Sequence, residues 1–137
     1  MRRLAILAAV AAMGLAGASF AQTHSVQRQF KGKPGQNINI GIFASMKSDC
    51  TAGALPVVRL AQGPMHGKVT VKRGRLRATN FKKCLAMEIP AYIAFYRSTP
   101  DFVGHDALTL EIIAKNGKTQ FEKITVTVTK PGASQGI

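Results

Sequence analysis

The chain has 137 residues and carries 19 lysines and arginines against 6 acidic residues, so its formal net charge at pH 7 is +13. This length fits one domain that can bury a real core, and it excludes a large multidomain protein. The strongly basic balance favours anionic partners over cationic ones.

The first 21 residues have the three parts of a secretory signal peptide. Arg2 and Arg3 form a positive n-region, residues 4–15 are an apolar run, and Ser19-Phe20-Ala21 places small residues at the cleavage positions. The apolar run is shorter than the roughly 20 residues that a membrane-spanning helix needs. We therefore predict a mature chain that begins at Gln22, has a net charge of +11 and no integral membrane segment, and is periplasmic or secreted.

Most of the mature chain has a β-strand pattern. Residues 22–35 are polar and basic and predict a flexible arm, and residues 131–137 predict a polar tail. Residues 36–130 contain short runs in which apolar and polar positions alternate, as in strands that are buried on one face. The first such run holds Ile38, Ile40 and Ile42, and the second covers residues 55–60.

A basic stretch in the middle of the domain predicts a hairpin. Val69 and Val71 alternate with polar residues, Arg73-Gly74 has the composition of a two-residue turn, and Leu76 continues the alternation on the way back. Such a hairpin would have one apolar face and one almost wholly cationic face.

Three more strands are predicted toward the carboxyl end, over residues 91–96, 107–114 and 121–128. Tyr96 and Phe102 are expected to anchor the core around a corner in which Gly104 needs its backbone freedom. A change of phase near Glu122-Lys123 predicts a bulge in the last strand. About seven closely spaced strands without a helical pattern predict an all-β antiparallel sandwich.

Cys50 and Cys84 are the two cysteines of the chain. In an exported protein they most simply form one intramolecular disulfide, with free buried thiols or an intermolecular bridge as the alternatives. The disulfide would close a loop of about 35 residues and stabilise the fold by roughly 4 kcal/mol in the chain-entropy model. The chain has no Cys-x-x-Cys motif and no histidine at ligand spacing, so we predict no metal site and no cofactor.

Four motifs occur in an order that resembles a known family. They are Gly63-Pro64-Met65-His66-Gly67-Lys68-Val69, then Phe95-Tyr96 with Pro100, then Phe102-Val103-Gly104-His105-Asp106-Ala107-Leu108-Thr109, and an alternating strand that ends at Val128. Together they resemble the bacterial Ig-like and cadherin-like repeats of secreted proteins over about residues 38–128. The resemblance implies an Ig-like sandwich of about seven strands and says little about function.

The chain also departs from those repeats, which usually occur in tandem, are acidic, and in some arrays hold calcium between domains. This chain has a single copy, is basic and has a cysteine pair. Asp106 matches the aspartate of the pattern and Asp101 lies in the preceding turn, but two carboxylates are too few for calcium. We expect Asp106 to accept hydrogen bonds from backbone amides in a turn.

No catalytic residues are predicted. The three histidines are His24 in the arm, His66 in a Gly-Pro turn and His105 in the corner, and none belongs to a recognisable nucleophile–base arrangement. The sequence has no His-Glu-x-x-His motif and no glycine-rich phosphate loop. We therefore predict a protein that is not an enzyme.

Seven basic residues fall within sixteen positions and are the predicted anion-binding set: Lys68, Lys72, Arg73, Arg75, Arg77, Lys82 and Lys83. The alternative is a merely solvated basic surface. Like charges that face each other across a hairpin destabilise it, and an anionic partner would relieve that repulsion. Only Phe81 lies near the set in sequence, so stacking on nucleic-acid bases is poorly supported.

The predicted function is a small exported binding or structural module that contacts an anionic envelope surface or polymer, or an acidic protein, through this cationic hairpin. The alternative function is an inhibitor or accessory subunit of a secreted enzyme, with the disulfide-closed loop as its contact. Binding through charge should weaken steeply with salt, and binding through the loop should weaken less. The sequence predicts no oligomeric state.

Overall fold

The computed structural model describes Gly14, Gly17 and residues 24–77, 84–85 and 87–132. The predicted signal peptide, Lys82, Lys83, Phe81 and residues 133–137 of the tail lie outside these described residues, apart from the two leader glycines. No helix in the described part of the chain is long and apolar enough to cross a membrane.

Seven strands make up the regular structure of the described residues, which confirms the predicted all-β sandwich. They are β1 (His24–Gly32), β2 (Ile38–Phe43), β3 (Val57–Gln62), β4 (Gly67–Arg77), β5 (Glu88–Ser98), β6 (Gly104–Ile113) and β7 (Thr119–Val128). One sheet has the strand order β1-β7-β6-β3 and the other has the order β2-β5-β4. Neighbouring strands are antiparallel except β1 and β7, which are parallel.

The core lies between the two sheets and is built from alternate residues of four strands. Its buried members are Ile38, Ile40, Phe43, Ala94, Tyr96, Leu108, Leu110, Ile124, Val126 and Val128. Because alternate side chains of a strand point to opposite faces, the period-2 pattern in the sequence selects this set. Tyr96 is fully buried, as expected of a core anchor, and Phe102 is partly buried against the cluster.

A bulge in β2 changes which isoleucines reach the core. The register with β5 shifts between Asn39 and Gly41, so Ile38 and Ile40 are both buried whereas Ile42 is 47% exposed. A bulge adds one residue to one strand and so reverses the side-chain phase beyond it. The prediction that Ile42 continues the alternation holds for the sequence but not for burial.

The predicted flexible arm is wrong for residues 24–32, which form β1. This strand pairs in parallel with β7 along its whole length, from His24 beside Gln120 to Gly32 beside Val128. It lies at the edge of its sheet, and most of its side chains are exposed. A strand held by backbone hydrogen bonds on one side needs few apolar side chains, so its polar sequence hides it.

The predicted hairpin at Arg73-Gly74 is also wrong. Residues 67–77 form one continuous strand, β4, that pairs with β5 without a register shift, so that Gly74 faces Ala91. Gly74 keeps an ordinary negative φ, and a Cβ at this position would lie 3.1 Å from the side chain of Ile93. Glycine here serves close packing across the strand pair, a role that has the same sequence signal as a turn.

The change of phase near Glu122 is not a bulge either. The β6–β7 register is continuous, and Glu122 stands opposite Leu110 at a position whose side chain points into the molecule. Glu122 is 3% exposed, in line with the buried residues Ile124, Val126 and Val128. A carboxylate at a core-facing position broke the apolar pattern and imitated a slip.

Candidate functional site

The Gly63–Gly67 and Phe102–Asp106 motifs meet at one corner of the sandwich, around Asp106. Its carboxylate accepts hydrogen bonds from the backbone amides of Met65, His66 and Ala107 at 2.9–3.0 Å, and from Tyr96 Oη at 2.7 Å. The expectation that Asp106 binds backbone amides is therefore confirmed. The carboxylate joins β5, β6 and the β3–β4 connection.

Results

Sequence analysis

The chain has 137 residues and carries 19 lysines and arginines against 6 acidic residues, so its formal net charge at pH 7 is +13. This length fits one domain that can bury a real core, and it excludes a large multidomain protein. The strongly basic balance favours anionic partners over cationic ones.

The first 21 residues have the three parts of a secretory signal peptide. Arg2 and Arg3 form a positive n-region, residues 4–15 are an apolar run, and Ser19-Phe20-Ala21 places small residues at the cleavage positions. The apolar run is shorter than the roughly 20 residues that a membrane-spanning helix needs. We therefore predict a mature chain that begins at Gln22, has a net charge of +11 and no integral membrane segment, and is periplasmic or secreted.

Most of the mature chain has a β-strand pattern. Residues 22–35 are polar and basic and predict a flexible arm, and residues 131–137 predict a polar tail. Residues 36–130 contain short runs in which apolar and polar positions alternate, as in strands that are buried on one face. The first such run holds Ile38, Ile40 and Ile42, and the second covers residues 55–60.

A basic stretch in the middle of the domain predicts a hairpin. Val69 and Val71 alternate with polar residues, Arg73-Gly74 has the composition of a two-residue turn, and Leu76 continues the alternation on the way back. Such a hairpin would have one apolar face and one almost wholly cationic face.

Three more strands are predicted toward the carboxyl end, over residues 91–96, 107–114 and 121–128. Tyr96 and Phe102 are expected to anchor the core around a corner in which Gly104 needs its backbone freedom. A change of phase near Glu122-Lys123 predicts a bulge in the last strand. About seven closely spaced strands without a helical pattern predict an all-β antiparallel sandwich.

Cys50 and Cys84 are the two cysteines of the chain. In an exported protein they most simply form one intramolecular disulfide, with free buried thiols or an intermolecular bridge as the alternatives. The disulfide would close a loop of about 35 residues and stabilise the fold by roughly 4 kcal/mol in the chain-entropy model. The chain has no Cys-x-x-Cys motif and no histidine at ligand spacing, so we predict no metal site and no cofactor.

Four motifs occur in an order that resembles a known family. They are Gly63-Pro64-Met65-His66-Gly67-Lys68-Val69, then Phe95-Tyr96 with Pro100, then Phe102-Val103-Gly104-His105-Asp106-Ala107-Leu108-Thr109, and an alternating strand that ends at Val128. Together they resemble the bacterial Ig-like and cadherin-like repeats of secreted proteins over about residues 38–128. The resemblance implies an Ig-like sandwich of about seven strands and says little about function.

The chain also departs from those repeats, which usually occur in tandem, are acidic, and in some arrays hold calcium between domains. This chain has a single copy, is basic and has a cysteine pair. Asp106 matches the aspartate of the pattern and Asp101 lies in the preceding turn, but two carboxylates are too few for calcium. We expect Asp106 to accept hydrogen bonds from backbone amides in a turn.

No catalytic residues are predicted. The three histidines are His24 in the arm, His66 in a Gly-Pro turn and His105 in the corner, and none belongs to a recognisable nucleophile–base arrangement. The sequence has no His-Glu-x-x-His motif and no glycine-rich phosphate loop. We therefore predict a protein that is not an enzyme.

Seven basic residues fall within sixteen positions and are the predicted anion-binding set: Lys68, Lys72, Arg73, Arg75, Arg77, Lys82 and Lys83. The alternative is a merely solvated basic surface. Like charges that face each other across a hairpin destabilise it, and an anionic partner would relieve that repulsion. Only Phe81 lies near the set in sequence, so stacking on nucleic-acid bases is poorly supported.

The predicted function is a small exported binding or structural module that contacts an anionic envelope surface or polymer, or an acidic protein, through this cationic hairpin. The alternative function is an inhibitor or accessory subunit of a secreted enzyme, with the disulfide-closed loop as its contact. Binding through charge should weaken steeply with salt, and binding through the loop should weaken less. The sequence predicts no oligomeric state.

Overall fold

The computed structural model describes Gly14, Gly17 and residues 24–77, 84–85 and 87–132. The predicted signal peptide apart from its two described glycines, together with Phe81, Lys82, Lys83 and residues 133–137, lies outside the described residues. Within the described part of the chain, no helix is long and apolar enough to cross a membrane.

Seven strands make up the regular structure of the described residues, which confirms the predicted all-β sandwich. They are β1 (His24–Gly32), β2 (Ile38–Phe43), β3 (Val57–Gln62), β4 (Gly67–Arg77), β5 (Glu88–Ser98), β6 (Gly104–Ile113) and β7 (Thr119–Val128). One sheet has the strand order β1-β7-β6-β3 and the other has the order β2-β5-β4. Neighbouring strands are antiparallel except β1 and β7, which are parallel.

The core lies between the two sheets and is built from inward-facing residues of four strands. Its buried members are Ile38, Ile40, Phe43, Ala94, Tyr96, Leu108, Leu110, Ile124, Val126 and Val128. Because alternate side chains of a strand point to opposite faces, the period-2 pattern in the sequence selects most of this set. Tyr96 is fully buried, as expected of a core anchor, and Phe102 packs against the cluster while remaining partly exposed.

A bulge in β2 changes which isoleucines reach the core. The register with β5 shifts between Asn39 and Gly41, so Ile38 and Ile40 are both buried whereas Ile42 is 47% exposed. A bulge adds one residue to one strand, and the side-chain phase reverses beyond it. The strand itself was predicted correctly, but its alternation does not carry Ile42 into the core.

The predicted flexible arm is wrong for residues 24–32, which form β1. This strand pairs in parallel with β7 along its whole length, from His24 beside Gln120 to Gly32 beside Val128. It lies at the edge of its sheet, and most of its side chains are exposed. Because backbone hydrogen bonds to β7 hold β1 in place, the strand needs few apolar side chains. Its polar sequence therefore lacks the alternation by which a strand is predicted.

The predicted hairpin at Arg73-Gly74 is also wrong. Residues 67–77 form one continuous strand, β4, that pairs with β5 without a register shift, so that Gly74 faces Ala91. A Cβ at position 74 would lie 3.1 Å from the side chain of Ile93. Glycine here allows close packing across the strand pair. In the sequence, a glycine with this role cannot be distinguished from a glycine in a turn.

The change of phase near Glu122 is not a bulge either. The β6–β7 register is continuous, and Glu122 stands opposite Leu110. Glu122 is 3% exposed and shares the inward phase of the buried residues Ile124 and Val126. A carboxylate at this core-facing position interrupts the apolar pattern, and the interruption was interpreted as a bulge.

Candidate functional site

The Gly63–Gly67 and Phe102–Asp106 motifs meet at one corner of the sandwich, around the carboxylate of Asp106. This carboxylate accepts hydrogen bonds from the backbone amides of Met65, His66 and Ala107 at 2.9–3.0 Å, and from Tyr96 Oη at 2.7 Å. The expectation that Asp106 binds backbone amides is therefore confirmed. The carboxylate joins β5, β6 and the connection between β3 and β4.

These contacts keep Asp106 charged and Tyr96 neutral. Burial alone would raise the pKa of Asp106, but the hydrogen bonds from Tyr96 and the three amides outweigh burial and hold that pKa below its ordinary value. Burial, followed by the hydrogen bond to Asp106 and its charge, raises the pKa of Tyr96. The pair braces the corner, and its fixed protonation states suit structure rather than proton transfer.

Close packing around the same corner accounts for its other motif residues. The rings of His66 and Phe102 are stacked, with centroids 4.2 Å apart and planes 7° from parallel. Gly104 has a φ of +140°, which confirms its predicted need for backbone freedom. A Cβ on Gly67 would lie 2.6 Å from the carbonyl oxygen of Arg97, so a larger residue there would force the strands apart.

The structure does not assemble the histidines into a catalytic arrangement among the described residues. His24 lies on β1, His66 stacks on Phe102, and the Nδ1 atom of His105 is 3.0 Å from the hydroxyl of Thr127. Groups of three or more histidine, cysteine or carboxylate side chains that could hold a metal ion do not occur in the described ranges.

One Gly-x-Ser-x-Gly string went unremarked at the sequence level, at Gly132–Gly136. Four of its five residues lie outside the described part of the chain. This string marks a nucleophile only on a sharp turn between a strand and a helix, so it carries no catalytic assignment here.

The predicted disulfide is present. The Cys50 and Cys84 sulfur atoms are bonded, and the two Cα atoms are 5.3 Å apart. The bridge ties the loop after β2 to the segment that precedes β5. Such a bond fits an oxidising, extracytoplasmic environment.

The predicted anion-binding residues that the structure describes divide between two faces of β4. Alternation along the strand puts Arg73, Arg75 and Arg77 on one face, and Lys68 and Lys72 on the other. Sequence reasoning had joined four of them, Lys72 with the three arginines, into a single cationic face. The repulsion expected across a hairpin therefore does not arise.

The arginines of β4 lie where β4 and β5 extend beyond the end of β2. There Arg75 and Arg77 both form ion pairs with Glu88, at 3.3 and 3.6 Å. Their side chains are 74% and 66% exposed, so each pair contributes at most about 1 kcal/mol to stability. Two cations of this strand thus share one carboxylate.

The other face of β4 carries a more concentrated group of cations. Lys68 stands directly opposite Arg97 of β5, Thr70 stands opposite Phe95, and Lys72 Nζ lies 5.8 Å from the centroid of the Phe95 ring. Lys68, Lys72 and Arg97 are exposed and Phe95 is partly buried. We name these four residues the basic face.

The basic face is unbalanced by local carboxylates. The ion pairs formed among the described residues use Arg28, Arg75 and Arg77, and none uses Lys68, Lys72 or Arg97. Like charges directly opposite each other on neighbouring strands destabilise the pair. This arrangement can bind an anionic group between Lys68 and Arg97, with the Phe95 ring beside it.

Two members of the basic face were missed at the sequence level. Arg97 and Phe95 lie more than twenty positions from Lys72, and only the β4–β5 register brings them together. The apolar alternation of β5 marked it as a strand but could not identify its partner. No signal in a single sequence would have found this pairing.

No family model, no curated protein and no solved structure matches this chain. The resemblance to bacterial Ig-like and cadherin-like repeats therefore stays a prediction, and the case for function depends on the geometry of the basic face.

Proposed function

We propose that this protein is an exported, non-catalytic module that binds an anionic polymer or surface of the cell envelope through the basic face. The proposal includes a cleaved leader over residues 1–21 and a periplasmic or secreted mature chain. The observation that carries it is the pairing of Lys68 with Arg97 beside Lys72 and Phe95, without a neutralising carboxylate in any ion pair of the described residues.

Charge supports a polyanion as the partner. The mature chain has 17 basic and 6 acidic residues, so its overall field attracts polyanions from a distance. At the basic face, an anionic group held between Lys68 and Arg97 would turn a repulsive cross-strand pair into an attractive arrangement. Phe95 adds a partly exposed ring, against which the apolar face of a sugar would pack.

Strand order supports an Ig-like class for the sandwich. Constant-type Ig domains place strands 1, 2, 5 and 4 in one sheet and 3, 6 and 7 in the other. Here strands β2-β5-β4 and β7-β6-β3 keep that division, and β1 pairs with β7 instead of β2. An Ig-like sandwich presents surfaces for many kinds of partner, so the class is compatible with binding but does not select it.

A binding survey of the mature protein tests the proposal. Sulfated polysaccharide, vesicles that contain anionic lipid, and neutral dextran would be compared at several salt concentrations. We expect binding to at least one of the two anionic probes, a steep loss between about 50 and 200 mM salt, and no binding to dextran. Binding only to a protein from envelope extracts, with little dependence on salt, would instead favour the inhibitor or accessory-subunit function.

A further inference from the structure

The carboxylate of Glu122 is a buried polar group whose hydrogen bonding is incomplete. Its side chain is 4% exposed. One oxygen, Oε1, lies 3.4 Å from Arg28 Nε and accepts a hydrogen bond from Gln120 Nε2 at 3.3 Å. The other, Oε2, is buried and has no hydrogen-bond partner among the described residues. A buried acceptor without a donor costs about as much free energy as a lost hydrogen bond, so its retention calls for an explanation.

Glu122 lines a cleft of about 570 Å³ at one end of the sandwich. The cleft lies where the two sheets separate, between the end of β2, the segment that enters β3, and the β6–β7 turn. Phe43, Pro56 and Ile112 supply apolar walls. Its volume is in the range of small-molecule sites, and apolar walls with a few polar groups are typical of such sites.

The charges around the cleft restrict the kind of ligand. At the inner end of the cleft, Glu122 already forms an ion pair with Arg28. Toward solvent, the cleft is lined by the exposed residues Lys47 and Lys115. A cationic ligand would meet this positive rim, whereas an anionic ligand would be attracted to it. The inner end requires a neutral donor, and the outer end favours an anion.

We propose that this cleft binds a small organic acid with an apolar body, whose hydroxyl or amide N–H donates a hydrogen bond to Glu122 Oε2 and whose acid group lies between Lys47 and Lys115. The terminal torsion of a glutamate is broad, so a small rotation of the carboxylate can bring Oε2 to a donor in the cleft while Oε1 stays beside Arg28 and Gln120. This site is separate from the basic face and does not depend on the proposed polymer binding.

Three probes separate the parts of this proposal. 3-Hydroxydecanoate has the donor, the apolar body and the acid; decanoate lacks the donor; decane-1,3-diol lacks the acid. Each would be titrated into the isotope-labelled mature protein while the amide NMR signals of Phe43, Ile112 and Glu122 are followed. We expect decanoate to bind about tenfold more weakly than 3-hydroxydecanoate, because a hydrogen bond to a charged group contributes at least that factor.

Variants then assign the contacts. Glu122→Gln should weaken 3-hydroxydecanoate binding about tenfold and leave decanoate binding unchanged, because only the first probe donates to this side chain. Lys47→Gln with Lys115→Gln should weaken both acids and leave the diol unchanged. Ala54→Phe, which enlarges a residue in the lining of the cleft, should abolish binding of all three probes, and Ala61→Phe on β3 is its control outside the cleft.

The Ala54→Phe variant keeps the test decisive if Glu122→Gln fails to fold. The proposal is overturned if no probe moves the cleft signals at millimolar concentration, if Ala54→Phe binds like the parent, or if decanoate binds as tightly as 3-hydroxydecanoate. The proposal would also be overturned by a crystal structure in which a water molecule donates a hydrogen bond to Oε2 and remains there when the probe is bound. None of these outcomes bears on polysaccharide binding by the basic face.

Discussion

Asp106 shows how one side chain can hold together segments that are distant in sequence. It binds two amides of the β3–β4 connection, its neighbour's amide in β6, and the hydroxyl of Tyr96 in β5. A carboxylate is suited to this position because it accepts several hydrogen bonds at once, and its charge strengthens each of them. The motif that suggested a family is therefore explained by the construction of the corner.

Replacement of Asp106 by Asn should weaken the fold in a pH-dependent way. The amide keeps one acceptor oxygen and leaves a donor group unmatched, so we expect a loss of about 1–3 kcal/mol at pH 7. Because the pKa of Asp106 is lowered on folding, its ionised form stabilises the protein above about pH 4, and this contribution is lost as the pH falls further. The difference between parent and variant should therefore shrink toward pH 2.

Denaturant titrations at several pH values would measure this difference. Asp101→Asn, which alters an exposed carboxylate in the nearby turn, is the matched control and should change stability little at any pH. A gap between parent and Asp106→Asn that stays constant from pH 7 to pH 2 would contradict the role assigned to the charge.

At the scale of elements, β4 is the strand whose position matters most for function. It lies at the edge of the β2-β5-β4 sheet, where an unpaired backbone is open to another strand. Its five basic residues among eleven positions discourage such pairing, because charged side chains on an edge strand oppose edge-to-edge association.

Results

Sequence analysis

The chain has 137 residues and carries 19 lysines and arginines against 6 acidic residues, so its formal net charge at pH 7 is +13. This length fits one domain that can bury a real core, and it excludes a large multidomain protein. The strongly basic balance favours anionic partners over cationic ones.

The first 21 residues have the three parts of a secretory signal peptide. Arg2 and Arg3 form a positive n-region, residues 4–15 are an apolar run, and Ser19-Phe20-Ala21 places small residues at the cleavage positions. The apolar run is shorter than the roughly 20 residues that a membrane-spanning helix needs. We therefore predict a mature chain that begins at Gln22, has a net charge of +11 and no integral membrane segment, and is periplasmic or secreted.

Most of the mature chain has a β-strand pattern. Residues 22–35 are polar and basic and predict a flexible arm, and residues 131–137 predict a polar tail. Residues 36–130 contain short runs in which apolar and polar positions alternate, as in strands that are buried on one face. The first such run holds Ile38, Ile40 and Ile42, and the second covers residues 55–60.

A basic stretch in the middle of the domain predicts a hairpin. Val69 and Val71 alternate with polar residues, Arg73-Gly74 has the composition of a two-residue turn, and Leu76 continues the alternation on the way back. Such a hairpin would have one apolar face and one almost wholly cationic face.

Three more strands are predicted toward the carboxyl end, over residues 91–96, 107–114 and 121–128. Tyr96 and Phe102 are expected to anchor the core around a corner in which Gly104 needs its backbone freedom. A change of phase near Glu122-Lys123 predicts a bulge in the last strand. About seven closely spaced strands without a helical pattern predict an all-β antiparallel sandwich.

Cys50 and Cys84 are the two cysteines of the chain. In an exported protein they most simply form one intramolecular disulfide, with free buried thiols or an intermolecular bridge as the alternatives. The disulfide would close a loop of about 35 residues and stabilise the fold by roughly 4 kcal/mol in the chain-entropy model. The chain has no Cys-x-x-Cys motif and no histidine at ligand spacing, so we predict no metal site and no cofactor.

Four motifs occur in an order that resembles a known family. They are Gly63-Pro64-Met65-His66-Gly67-Lys68-Val69, then Phe95-Tyr96 with Pro100, then Phe102-Val103-Gly104-His105-Asp106-Ala107-Leu108-Thr109, and an alternating strand that ends at Val128. Together they resemble the bacterial Ig-like and cadherin-like repeats of secreted proteins over about residues 38–128. The resemblance implies an Ig-like sandwich of about seven strands and says little about function.

The chain also departs from those repeats, which usually occur in tandem, are acidic, and in some arrays hold calcium between domains. This chain has a single copy, is basic and has a cysteine pair. Asp106 matches the aspartate of the pattern and Asp101 lies in the preceding turn, but two carboxylates are too few for calcium. We expect Asp106 to accept hydrogen bonds from backbone amides in a turn.

No catalytic residues are predicted. The three histidines are His24 in the arm, His66 in a Gly-Pro turn and His105 in the corner, and none belongs to a recognisable nucleophile–base arrangement. The sequence has no His-Glu-x-x-His motif and no glycine-rich phosphate loop. We therefore predict a protein that is not an enzyme.

Seven basic residues fall within sixteen positions and are the predicted anion-binding set: Lys68, Lys72, Arg73, Arg75, Arg77, Lys82 and Lys83. The alternative is a merely solvated basic surface. Like charges that face each other across a hairpin destabilise it, and an anionic partner would relieve that repulsion. Only Phe81 lies near the set in sequence, so stacking on nucleic-acid bases is poorly supported.

The predicted function is a small exported binding or structural module that contacts an anionic envelope surface or polymer, or an acidic protein, through this cationic hairpin. The alternative function is an inhibitor or accessory subunit of a secreted enzyme, with the disulfide-closed loop as its contact. Binding through charge should weaken steeply with salt, and binding through the loop should weaken less. The sequence predicts no oligomeric state.

Overall fold

The computed structural model describes Gly14, Gly17 and residues 24–77, 84–85 and 87–132. The predicted signal peptide apart from its two described glycines, together with Phe81, Lys82, Lys83 and residues 133–137, lies outside the described residues. Within the described part of the chain, no helix is long and apolar enough to cross a membrane.

Seven strands make up the regular structure of the described residues, which confirms the predicted all-β sandwich. They are β1 (His24–Gly32), β2 (Ile38–Phe43), β3 (Val57–Gln62), β4 (Gly67–Arg77), β5 (Glu88–Ser98), β6 (Gly104–Ile113) and β7 (Thr119–Val128). One sheet has the strand order β1-β7-β6-β3 and the other has the order β2-β5-β4. Neighbouring strands are antiparallel except β1 and β7, which are parallel.

The core lies between the two sheets and is built from inward-facing residues of four strands. Its buried members are Ile38, Ile40, Phe43, Ala94, Tyr96, Leu108, Leu110, Ile124, Val126 and Val128. Because alternate side chains of a strand point to opposite faces, the period-2 pattern in the sequence selects most of this set. Tyr96 is fully buried, as expected of a core anchor, and Phe102 packs against the cluster while remaining partly exposed.

A bulge in β2 changes which isoleucines reach the core. The register with β5 shifts between Asn39 and Gly41, so Ile38 and Ile40 are both buried whereas Ile42 is 47% exposed. A bulge adds one residue to one strand, and the side-chain phase reverses beyond it. The predicted strand is confirmed, but its alternation does not carry Ile42 into the core.

The predicted flexible arm is wrong for residues 24–32, which form β1. This strand pairs in parallel with β7 along its whole length, from His24 beside Gln120 to Gly32 beside Val128. It lies at the edge of its sheet, and most of its side chains are exposed. Because backbone hydrogen bonds to β7 hold β1 in place, the strand needs few apolar side chains. Its polar sequence therefore lacks the alternation by which a strand is predicted.

The predicted hairpin at Arg73-Gly74 is also wrong. Residues 67–77 form one continuous strand, β4, that pairs with β5 without a register shift, so that Gly74 faces Ala91. A Cβ at position 74 would lie 3.1 Å from the side chain of Ile93. Glycine here allows close packing across the strand pair. In the sequence, a glycine with this role cannot be distinguished from a glycine in a turn.

The change of phase near Glu122 is not a bulge either. The β6–β7 register is continuous, and Glu122 stands opposite Leu110. Glu122 is 3% exposed and shares the inward phase of the buried residues Ile124 and Val126. A carboxylate at this core-facing position interrupts the apolar pattern, and the interruption was interpreted as a bulge.

Candidate functional site

The Gly63–Gly67 and Phe102–Asp106 motifs meet at one corner of the sandwich, around the carboxylate of Asp106. This carboxylate accepts hydrogen bonds from the backbone amides of Met65, His66 and Ala107 at 2.9–3.0 Å, and from Tyr96 Oη at 2.7 Å. The expectation that Asp106 binds backbone amides is therefore confirmed. The carboxylate joins β5, β6 and the connection between β3 and β4.

These contacts keep Asp106 charged and Tyr96 neutral. Burial alone would raise the pKa of Asp106, but the hydrogen bonds from Tyr96 and the three amides outweigh burial and hold that pKa below its ordinary value. Burial, followed by the hydrogen bond to Asp106 and its charge, raises the pKa of Tyr96. The pair braces the corner, and its fixed protonation states suit structure rather than proton transfer.

Close packing around the same corner accounts for its other motif residues. The rings of His66 and Phe102 are stacked, with centroids 4.2 Å apart and planes 7° from parallel. Gly104 has a φ of +140°, which confirms its predicted need for backbone freedom. A Cβ on Gly67 would lie 2.6 Å from the carbonyl oxygen of Arg97, so a larger residue there would force the strands apart.

The structure does not assemble the histidines into a catalytic arrangement among the described residues. His24 lies on β1, His66 stacks on Phe102, and the Nδ1 atom of His105 is 3.0 Å from the hydroxyl of Thr127. Groups of three or more histidine, cysteine or carboxylate side chains that could hold a metal ion do not occur in the described ranges.

One Gly-x-Ser-x-Gly string escaped the sequence-based search for catalytic motifs, at Gly132–Gly136. Of this string, only Gly132 lies in the described part of the chain. Such a string marks a nucleophile only on a sharp turn between a strand and a helix, so it carries no catalytic assignment here.

The predicted disulfide is present. The Cys50 and Cys84 sulfur atoms are bonded, and the two Cα atoms are 5.3 Å apart. The bridge ties the loop after β2 to the segment that precedes β5. Such a bond fits an oxidising, extracytoplasmic environment.

The predicted anion-binding residues that the structure describes divide between two faces of β4. Alternation along the strand puts Arg73, Arg75 and Arg77 on one face, and Lys68 and Lys72 on the other. The hairpin prediction had placed Lys72 and the arginines together on a single cationic surface. The repulsion expected across that hairpin does not arise, because each of these residues faces β5 instead.

The arginines of β4 lie where β4 and β5 extend toward and beyond the end of β2. There Arg75 and Arg77 both form ion pairs with Glu88, at 3.3 and 3.6 Å. Their side chains are 74% and 66% exposed, so each pair contributes at most about 1 kcal/mol to stability. Two cations of this strand thus share one carboxylate.

The other face of β4 carries a more concentrated group of cations. Lys68 stands directly opposite Arg97 of β5, Thr70 stands opposite Phe95, and Lys72 Nζ lies 5.8 Å from the centroid of the Phe95 ring. Lys68, Lys72 and Arg97 are exposed and Phe95 is partly buried. We name the four residues Lys68, Lys72, Phe95 and Arg97 the basic face.

The basic face is not balanced by carboxylates in ion pairs. The ion pairs formed among the described residues use Arg28, Arg75 and Arg77. Like charges directly opposite each other on neighbouring strands, as Lys68 and Arg97 are, destabilise the strand pair. This arrangement can bind an anionic group between Lys68 and Arg97, with the Phe95 ring beside it.

Two members of the basic face were missed in the sequence. Phe95 and Arg97 lie more than twenty positions after Lys72, and only the β4–β5 register brings them together. The apolar character of β5 marked it as a strand but could not identify its partner. No signal in a single sequence would have found this pairing.

No family model, no curated protein and no solved structure matches this chain. The resemblance to bacterial Ig-like and cadherin-like repeats therefore stays a prediction, and the case for function depends on the geometry of the basic face.

Proposed function

We propose that this protein is an exported, non-catalytic module that binds an anionic polymer or surface of the cell envelope through the basic face. The proposal includes a cleaved leader over residues 1–21 and a periplasmic or secreted mature chain. The main support is that Lys68 stands opposite Arg97, beside Lys72 and Phe95. Among the described residues, none of these three cations forms an ion pair with a carboxylate.

Charge supports a polyanion as the partner. The mature chain has 17 basic and 6 acidic residues, so its overall field attracts polyanions from a distance. At the basic face, an anionic group held between Lys68 and Arg97 would turn a repulsive cross-strand pair into an attractive arrangement. Phe95 adds a partly exposed ring, against which the apolar face of a sugar would pack.

Strand order supports an Ig-like class for the sandwich. Constant-type Ig domains place strands 1, 2, 5 and 4 in one sheet and 3, 6 and 7 in the other. Here β2-β5-β4 and β7-β6-β3 keep that division, and β1 pairs with β7. An Ig-like sandwich is a scaffold that presents surfaces for many kinds of partner, so the class is compatible with binding but does not select it.

A binding survey of the mature protein tests the proposal. Sulfated polysaccharide, vesicles that contain anionic lipid, and neutral dextran would be compared at several salt concentrations. We expect binding to at least one of the two anionic probes, a steep loss between about 50 and 200 mM salt, and no binding to dextran. Binding only to a protein from envelope extracts, with little dependence on salt, would instead favour the inhibitor or accessory-subunit function.

A further inference from the structure

The carboxylate of Glu122 is a buried polar group whose hydrogen bonding is incomplete. Its side chain is 4% exposed, and its Oε1 atom lies 3.4 Å from Arg28 Nε. Gln120 Nε2 also donates a hydrogen bond to Oε1, at 3.3 Å. The other oxygen, Oε2, is buried and has no hydrogen-bond partner among the described residues. A buried acceptor without a donor is costly, so this oxygen calls for a donor from elsewhere.

Glu122 lines a cleft of about 570 Å³ at one end of the sandwich. The cleft lies between the end of β2, the segment that enters β3, and the turn from β6 to β7. Phe43, Pro56 and Ile112 supply apolar walls. Its volume is in the range of small-molecule sites, which typically combine apolar walls with a few polar groups.

The charges around the cleft restrict the kind of ligand. At the inner end of the cleft, Glu122 already forms an ion pair with Arg28. Toward solvent, the cleft is lined by the exposed residues Lys47 and Lys115. This positive rim repels a cationic ligand and attracts an anionic one. The inner end therefore requires a neutral donor, and the outer end favours an anion.

We propose that this cleft binds a small organic acid with an apolar body, whose hydroxyl or amide N–H donates a hydrogen bond to Glu122 Oε2 and whose acid group lies between Lys47 and Lys115. The terminal torsion of a glutamate is broad, so a small rotation of the carboxylate can bring Oε2 to a donor in the cleft while Oε1 stays beside Arg28 and Gln120. The site shares no residue with the basic face and does not depend on the proposed polymer binding.

Three probes separate the parts of this proposal. 3-Hydroxydecanoate has the donor, the apolar body and the acid; decanoate lacks the donor; decane-1,3-diol lacks the acid. Each would be titrated into the isotope-labelled mature protein while the amide NMR signals of Phe43, Ile112 and Glu122 are followed. We expect decanoate to bind about tenfold more weakly than 3-hydroxydecanoate, because a hydrogen bond to a charged group contributes at least that factor.

Variants then assign the contacts. Glu122→Gln should weaken 3-hydroxydecanoate binding about tenfold and leave decanoate binding unchanged, because only the first probe donates to this side chain. Lys47→Gln with Lys115→Gln should weaken both acids and leave the diol unchanged. Ala54→Phe, which enlarges a residue in the lining of the cleft, should abolish binding of all three probes, and Ala61→Phe on β3 is its control outside the cleft.

The Ala54→Phe variant keeps the test decisive if Glu122→Gln fails to fold. The proposal is overturned if no probe moves the cleft signals at millimolar concentration, if Ala54→Phe binds like the parent, or if decanoate binds as tightly as 3-hydroxydecanoate. The proposal would also be overturned by a crystal structure in which a water molecule donates a hydrogen bond to Oε2 and remains there when the probe is bound. Each of these outcomes leaves polysaccharide binding by the basic face as it was.

Discussion

Asp106 is a single side chain that holds together segments distant in sequence. It binds two amides of the β3–β4 connection, the amide of Ala107 in β6, and the hydroxyl of Tyr96 in β5. A carboxylate suits this position because it accepts several hydrogen bonds at once and its charge strengthens each of them. The construction of the corner therefore accounts for the aspartate of the motif without a metal or a substrate.

Replacement of Asp106 by Asn should weaken the fold in a pH-dependent way. The amide keeps one acceptor oxygen and leaves a donor unmatched, so we expect a loss of about 1–3 kcal/mol in the free energy of unfolding at pH 7. Because folding lowers the pKa of Asp106, its ionised form stabilises the protein above about pH 4, and this contribution is lost as the pH falls through the lowered pKa. The difference between parent and variant should therefore shrink toward pH 2.

Denaturant titrations at several pH values would measure that difference. Asp101→Asn, which alters an exposed carboxylate in the nearby turn, is the matched control and should change stability little at any pH. A gap between the parent and Asp106→Asn that stays constant from neutral to strongly acidic pH would contradict the role assigned to the charge.

At the scale of elements, β4 is the strand that matters most for the proposed function. It lies at the edge of the β2-β5-β4 sheet, where unpaired backbone groups are open to another strand. Five of its eleven residues are basic, and charged side chains on an edge strand oppose edge-to-edge association. The charges of β4 can therefore serve solubility as well as ligand binding.

A quadruple variant, Lys72→Gln, Arg73→Gln, Arg75→Gln and Arg77→Gln, distinguishes the single strand from a hairpin. In a hairpin these charges would repel one another, and their removal would stabilise the fold. In the observed strand the variant loses the two ion pairs with Glu88, so we expect a loss of up to about 2 kcal/mol. We also expect more self-association, which sedimentation velocity would detect, because the edge has lost its charges. A more stable variant that stays monomeric would contradict this account.

Strands with a regular pattern of apolar residues could be predicted from the sequence. Strands whose place depends on pairing with other strands could not. The runs that became β2, β6 and β7 carry their own alternation, the run that became β5 is apolar on both faces, and Gly104 and Asp106 were predicted from local turn chemistry. β1 has no apolar phase, because backbone pairing with β7 holds it at an edge. In β4 a glycine that serves close packing was taken for a turn, and in β7 the buried Glu122 was taken for a bulge.

The same limit applies to the candidate site. Lys68 and Lys72 could be selected from the density of charge in the sequence. Arg97 and Phe95 could not, because their place beside these lysines depends on the β4–β5 register, a long-range pairing. The hairpin prediction also gave the arginines a role that the structure assigns in part to ion pairs with Glu88.

At the scale of the whole molecule, the disulfide supports a domain of modest size. It links residues 34 positions apart and ties the loop after β2 to the start of β5. A domain of this size has a net stability of about 5–15 kcal/mol, so one crosslink is a large fraction of the total. A disulfide of this kind fits an oxidising, extracytoplasmic environment.

Removal of the disulfide should leave a folded but much less stable protein. For Cys50→Ser with Cys84→Ser we expect a loss of roughly 4 kcal/mol, because the unfolded chain regains the entropy of the opened loop. Urea titration of the double variant, compared with the parent before and after reduction, would measure it. Equal stability of the oxidised parent, the reduced parent and the double variant would show that the bond does not support the fold.

Polyanion binding should depend on the basic face and not on the overall charge of the protein. Lys68→Gln, Lys72→Gln and Arg97→Gln together remove its three cations, and Arg59→Gln, Lys118→Gln and Lys123→Gln remove the same charge from exposed positions elsewhere. The most direct measurement is the affinity of both triple variants for the sulfated polysaccharide that the parent binds, at one low salt concentration. We predict a loss of about tenfold or more for the basic-face variant, because three contacts of up to about 1 kcal/mol each are removed, and less than about threefold for the control. Equal losses in the two variants would contradict the account, because binding would then follow net charge alone.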